Sequence, residues 1–129
     1  MNKKIVLTLK VIAAIIMLQT LFYKFPGAQE SIDLFTKIAG KNEAYMRIGT
    51  GILELIASIL LFVPKSTWLG ALLTIGLMGG AIMSHLTILG IEHNNDGGLL
   101  FISAIITLIS GIVVLLSEKE NIPFFEKKY

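Results

Sequence analysis

The chain has 129 residues, 54% of them hydrophobic and only 16% charged, and its mean hydropathy is +0.78. Water-soluble domains of this length carry far more charge, so composition alone selects the membrane class. The net charge of +2 is small and scattered, which argues against a nucleic-acid partner, and the absence of cysteine removes disulfides, thiolate metal sites and iron–sulfur ligation from this chain.

Four apolar runs follow one another, at about residues 5–23, 45–63, 68–91 and 99–116. Each approaches the ~20 residues that a helix needs to cross a ~30 Å hydrocarbon layer. Met1-Asn2-Lys3-Lys4 ahead of the first run resembles the start of a secretory signal. The run exceeds the ~7–15 residues of a signal core, and Ala28 is a poor cleavage position, so the first span is expected to be retained. Between the first and second runs, Ile32, Phe35, Ile38 and Ala39 recur at helical spacing, opposed by Glu30, Asp33 and Lys37, and Gly40 supplies a stop. This predicts a short amphipathic helix on the interface or capping the bundle; a plain surface connector is the competing reading.

Pro64-Lys65-Ser66-Thr67 is a minimal turn that makes the second and third spans antiparallel neighbours, with Trp68 placed as an interfacial anchor. The polar cluster from Glu92 to Gly98 separates the third and fourth spans, with Asp96 as a candidate cap. Ile122-Pro123-Phe124-Phe125 with Lys127, Lys128 and Tyr129 reads as a second interfacial anchor. The expected fold is therefore all-α: one integral membrane four-helix bundle over residues 1–129, with a short amphipathic helix between spans one and two. Lys3, Lys4, Lys65, Lys119, Lys127 and Lys128 fall on one side, against Lys24, Lys37, Lys41 and Arg47 on the other. That bias predicts both termini in the cytoplasm.

Lipid tails give helices no hydrophobic reason to associate, so small and hydrogen-bonding residues should mark the facing surfaces. Three stripes qualify: Arg47, Gly51, Glu54 and Ser58; Gly76, Gly80, Ser84 and Thr87; and Ser103, Thr107, Ser110 and Gly111. Charged or titratable groups inside spans are costly, on the order of 3 kcal/mol or more near the centre, and need a reason. Lys10 can snorkel from the end of its span, and Arg47 sits near a boundary. Counted from the span ends, Glu54 lies ~13 Å inward from Tyr45 and His85 ~9 Å inward from Ile91. Both then occupy the same half of adjacent helices, and Gln19, Thr20, Tyr23 and Lys24 reach that level from the first span. The expectation is a polar pocket with Glu54 and His85 at its floor and Arg47 and Tyr23 at its mouth. It reads either as an internal network, with Arg47 and Glu54 as a charge pair, or as a binding site in which a buried histidine beside a carboxylate moves a proton. No metal-ligand cluster is evident.

Phe22-Tyr23-Lys24-Phe25, Arg47-Ile48-Gly49 leading to Glu54-Leu55, Trp68-Leu69-Gly70-Ala71, and Met78-Gly79-Gly80-Ala81 leading to His85-Leu86 together resemble the DoxX family of small four-span membrane proteins. The resemblance runs from about Met17 to Leu116, and Arg47, Glu54 and His85 map onto its typical polar positions. Relatives look like membrane subunits of a thiosulfate:quinone oxidoreductase, and bacterial members are associated with oxidative-stress complexes. Others act as assembly chaperones or helpers in cofactor maturation. The resemblance thus implies a bacterial cytoplasmic membrane protein serving as an accessory or scaffold subunit, in contact with lipid and with an oxidoreductase partner or a second copy of itself. The alternative is a quinone-interacting subunit, in which His85 donates to the ring oxygen, Glu54 accepts the proton and Arg47 stabilises charge. The chain itself would carry no other cofactor. A small transporter or lipid-binding protein is a third reading, weakened by the lack of an inverted repeat or broken helix.

Overall fold

A computed structural model describes residues 2–91 and 97–119. The Glu92–Asp96 part of the polar turn, with its candidate cap, and the aromatic tail Ile122–Tyr129 lie outside the described residues. Helix α1 spans Lys3–Lys24, α2 Gln29–Ala39, α3 Glu43–Leu61, α4 Thr67–Ser84 and α5 Leu99–Ser117. A 3₁₀ turn at Gly40–Asn42 joins α2 to α3, and a π turn at His85–Leu89 extends α4. Four helical stretches are long and apolar enough to cross a membrane.

Helices α1, α3, α4 and α5 pack in a closed ring in that order, and α2 lies across one end against α3 and the π turn. The ring is apolar outside and small or polar inside. Its centre holds Ala13, Ala57, Ala71 and Ala104 beside Ser58, Thr67, Thr74, Thr107 and Ser110, whereas Ile5, Ile15, Phe22, Ile59, Ile102 and Ile109 face outward. In water that surface would be one continuous exposed apolar patch, so hydrocarbon is the solvent it fits. Each buried hydroxyl in the ring returns its hydrogen to a backbone carbonyl at 2.8–3.1 Å, as a dry interior requires.

Local chemistry sets the ends. Asn2 Oδ1 accepts from the Lys4 and Ile5 amides and starts α1. Gly40, at φ +60, ends α2. Phe35 is buried and Ile32, Ile38 and Ala39 are half-buried, while Glu30, Asp33 and Lys37 are exposed, so α2 caps the bundle with its apolar face down. Helix α3 ends at Leu61, before Pro64, and Thr67 Oγ1 ties the turn by donating to the carbonyls of Leu61 and Val63 at 3.1 and 3.0 Å.

At Gly70 the helix α4 comes close to the backbone of α3. A Cβ there would sit 2.7 Å from the Leu61 nitrogen and 2.9 Å from the Ala57 oxygen, both backbone atoms. That contact fixes which face of α4 looks inward: Thr67, Gly70, Ala71, Thr74 and Met78. Successive residues turn ~100° around a helix, so Gly76, two residues past Thr74, points almost the opposite way. Accordingly Gly76 and Gly80 are exposed, and a Cβ on either would meet nothing within 4 Å. The stripes on α3 and on α5 do face the interior; the Gly76–Gly80 stripe does not join the bundle seam.

Candidate functional site

One ion pair and one bond from a guanidinium to a backbone carbonyl hold the α2 end of α1 to α3, and a second ion pair lies beside them. Thr20 and Lys24, one turn apart on α1, face Glu54 on α3. Lys24 Nζ lies 2.9 Å from Glu54 Oε1, with the two side chains 12% and 4% exposed. Lys24 also donates to Thr20 Oγ1 at 2.9 Å, while the Thr20 hydroxyl donates to Met17 O at 2.7 Å and lies 3.4 Å from Glu54 Oε1. The second pair is a turn within α3: Arg47 Nε donates to Glu43 Oε2 at 2.9 Å and Nη2 lies 3.4 Å from Oε1.

Arg47 also donates from Nη1 to the carbonyl of Lys24, a terminal carbonyl of α1. A cation at a helix C-terminus meets the negative end of the helix dipole, so Arg47 binds the end of one span to the start of another. Gly27, at φ +76, lets the α1–α2 turn pass over the guanidinium; a Cβ there would come within 3.3 Å of Nη1. Arg47 and Glu54 therefore have separate partners, Glu43 and Lys24, rather than each other.

His85 belongs to a different cluster. It is buried, its Nδ1 is 2.9 Å from the Gly90 carbonyl, and the Gly90 amide donates back to the His85 carbonyl at 2.8 Å. Its ring meets the ring of Phe101 edge-on, with centroids 5.6 Å apart. Levels along the bundle separate it from Glu54. Thr74 Oγ1 touches Met17 Sδ at 3.9 Å, and Thr20, three residues above Met17, touches Glu54. Glu54 thus stands at the height of Leu77 on α4, and His85 is eight residues, or ~12 Å, higher. Among the described residues no hydrogen bond or ion pair joins His85 to Glu54.

Tyr23 and Gln19 stay outside both clusters. Tyr23 is half-exposed, and Gln19 is exposed with Nε2 donating to Ile16 O at 3.2 Å. Lys10 is half-buried on the far half of α1. Lys24 as the partner of Glu54, and Glu43 as the partner of Arg47, were not singled out from sequence. The Thr20/Lys24 and Glu43/Arg47 spacings of four were the available signal. A groove of about 450 Å³ opens between α1 and α3 and is lined by Ala14, Leu18, Leu55, Ser58, Ile59, Phe62 and Val63. No charged group lines it. Among the described residues no group of three or more His, Asp or Glu side chains is placed to hold a metal ion.

The model of the DoxX family matches residues 5–87, from the start of α1 into the π turn. The chain belongs to the DoxX family. The match contains every residue of the two ion pairs and His85, and it starts earlier and stops earlier than the motif resemblance, leaving α5 outside. No curated protein and no solved structure matches the chain.

Proposed function

We propose that this DoxX-family protein is an accessory or scaffold subunit of a membrane complex. The observation that carries the reading is the mutual neutralisation of Lys24 with Glu54 and of Arg47 with Glu43, which commits the charged groups at the α2 end to joining α1 and α3. A buried charge kept for reaction is usually exposed to a cleft; these are held by one another. The partner is another membrane protein or a second copy of this chain, within a bacterial cytoplasmic membrane. The end carrying Lys3, Lys4, Lys65 and Lys119 faces the cytoplasm on this reading, by the bias of basic residues.

The competing reading, a quinone-interacting oxidoreductase subunit, places His85 and Glu54 on one ring oxygen. Their ~12 Å difference in level gives that arrangement no support. One experiment separates the two. The double variant Lys24→Met/Glu54→Leu is expressed in native membranes and its neighbours are identified by crosslinking and mass spectrometry. A scaffold keeps its stoichiometric partner when the ion pair is replaced by an apolar pair that preserves the fold. Loss of quinone-dependent membrane activity with the partner still bound would refute the scaffold reading.

A further inference from the structure

Lys24 and Arg47 have counter-charges within the protein, and Lys10 does not. Lys10 stands inside the apolar run of α1, one turn beyond Val6 and one turn before Ala14, both buried, and is itself half-buried. It has neither a hydrogen bond nor an ion pair among the described residues. An ammonium below the hydrocarbon boundary needs an anion or water within reach of its stem. Side chains lean toward the N-terminus of their helix, so the Lys10 stem runs toward the end of the bundle where α1 begins, away from α2.

The groove between α1 and α3 starts one turn from Lys10. Ala14 and Ser58 are its buried lining, and Leu18, Leu55, Ile59 and Phe62 are its exposed lining. A second groove of about 390 Å³ shares Leu18 and Leu55 with it and reaches Phe25 and Pro26. Together they follow α1 from Ala14 to Phe25, ~16 Å, which is the depth of one leaflet of a ~30 Å layer. Heights follow from the Thr20–Glu54 contact: equal steps toward the start of α1 and the end of α3 set Lys10 level with Pro64. The exposed Lys65 is therefore at the height of Lys10, just past Val63 in the groove lining. Lys3, Lys4 and Lys119 are exposed at the same end, where Glu118 is the only carboxylate among the described residues. At the opposite mouth Lys24 is already held by Glu54.

We propose that the α1–α3 groove binds one anionic phospholipid, with an acyl chain along Ala14 and Leu18 and the phosphate at the ammonium groups of Lys10 and Lys65. Charge complementarity selects the occupant. An apolar cleft of leaflet depth takes a lipid chain, and a cation without a partner at its end takes an anionic headgroup; a zwitterionic headgroup brings its own cation to the same place. The inference is independent of the scaffold reading. The full chain is purified in mixed micelles holding equal amounts of dioleoylphosphatidylglycerol and dioleoylphosphatidylcholine, and the lipid that stays bound is counted by native mass spectrometry.

The expected result is one retained phosphatidylglycerol, preferred about fivefold over phosphatidylcholine, the worth of one basic residue at an anionic headgroup. Lys10→Met should bring the two lipids close to parity, and Lys10→Arg should keep the preference. Lys10→Met takes a charge out of a span, so it burdens the fold least, and melting followed by circular dichroism checks that each variant is folded. Lys119→Met removes an equal charge from the end of α5 and should change the preference by less than about twofold. Ala14→Leu fills the groove without touching a charge and should lower retention of both lipids. Glycerol phosphate, the anion without its chains, should fail to compete. Equal losses from Lys10→Met and Lys119→Met would overturn the proposal, because the attraction would then belong to the whole basic end. So would retention undiminished by Ala14→Leu, displacement by glycerol phosphate, or equal retention of the two lipids by the parent chain.

Discussion

The Lys24–Glu54 pair allows a prediction with an internal control. At 2.9 Å, two unit charges attract by about 6 kcal/mol at an effective dielectric of about 20. Desolvating each ion costs several kcal/mol in return, so the intact pair contributes little net stability. Removing one partner is different, and the two removals are not equivalent. Glu54 lies eleven residues into α3 from Glu43, ~16 Å along the axis, and its short side chain cannot reach water. Lys24 is the last residue of α1, and its flexible stem can carry the ammonium to the interface.

Lys24→Met therefore strands a charge and should cost ~3–5 kcal/mol, while Glu54→Leu frees a lysine that can snorkel and should cost ~1–2 kcal/mol. The double variant should return to within ~1 kcal/mol of the parent, since an apolar pair of similar volume replaces a buried ion pair without loss. The measurement is reversible unfolding in mixed micelles, followed by circular dichroism, across the full double-mutant cycle. Equal costs for the two single variants would refute the snorkelling asymmetry. Strictly additive costs in the double variant would refute the pair itself.

Three further outcomes follow from the same geometry. Gly70→Ala should cost ~1–3 kcal/mol, because the new methyl meets backbone of α3, whereas Gly80→Ala meets nothing within 4 Å and should be neutral or stabilising by up to ~1 kcal/mol in the same unfolding assay. Arg47→Lys should lose ~1–3 kcal/mol despite keeping the charge, since one ammonium cannot span Glu43 and the Lys24 carbonyl as the guanidinium does. Hydrogen exchange should show the Ala28 and Ser31 amides loosened in that variant. Gly90→Ala should cost ~1–2 kcal/mol, as φ +81 strains any residue with a Cβ, and should broaden the His85 ring resonances by weakening its bond to the Gly90 carbonyl.

The number of the spans was readable because hydrocarbon thickness imposes a length that composition must satisfy, and the amphipathic α2 was readable because Phe35 and Lys37 fall on opposite faces. Facing was harder. The Gly76–Gly80 spacing is the usual mark of a helix contact, but it competes with the Gly70–Ala71–Thr74 face of the same helix, and periodicity alone does not rank two small-residue faces. Gly70 decides, since the tight Thr67 turn forces the start of α4 against the end of α3, and only a residue without a side chain fits there.

Register decided the site in the same way. Depths counted inward from the span ends put Glu54 and His85 in one half of the bundle, but the ends of neighbouring spans are not level marks: Glu54 is reached from Thr20, and Thr74 from Met17, so the interhelical contacts themselves set the heights. Once the heights come from contacts, the polar residues divide into two groups with different physics. Lys24, Glu54, Arg47 and Glu43 close on one another and hold α1 to α3. His85 closes on the Gly90 carbonyl and the ring of Phe101, and its second nitrogen has no hydrogen-bond partner among the described residues. A charge in hydrocarbon must be neutralised wherever it lies, so the first group is accounted for by stability alone. His85 Nε2 takes no part in that pairing, and its burial is the feature that charge neutralisation does not account for.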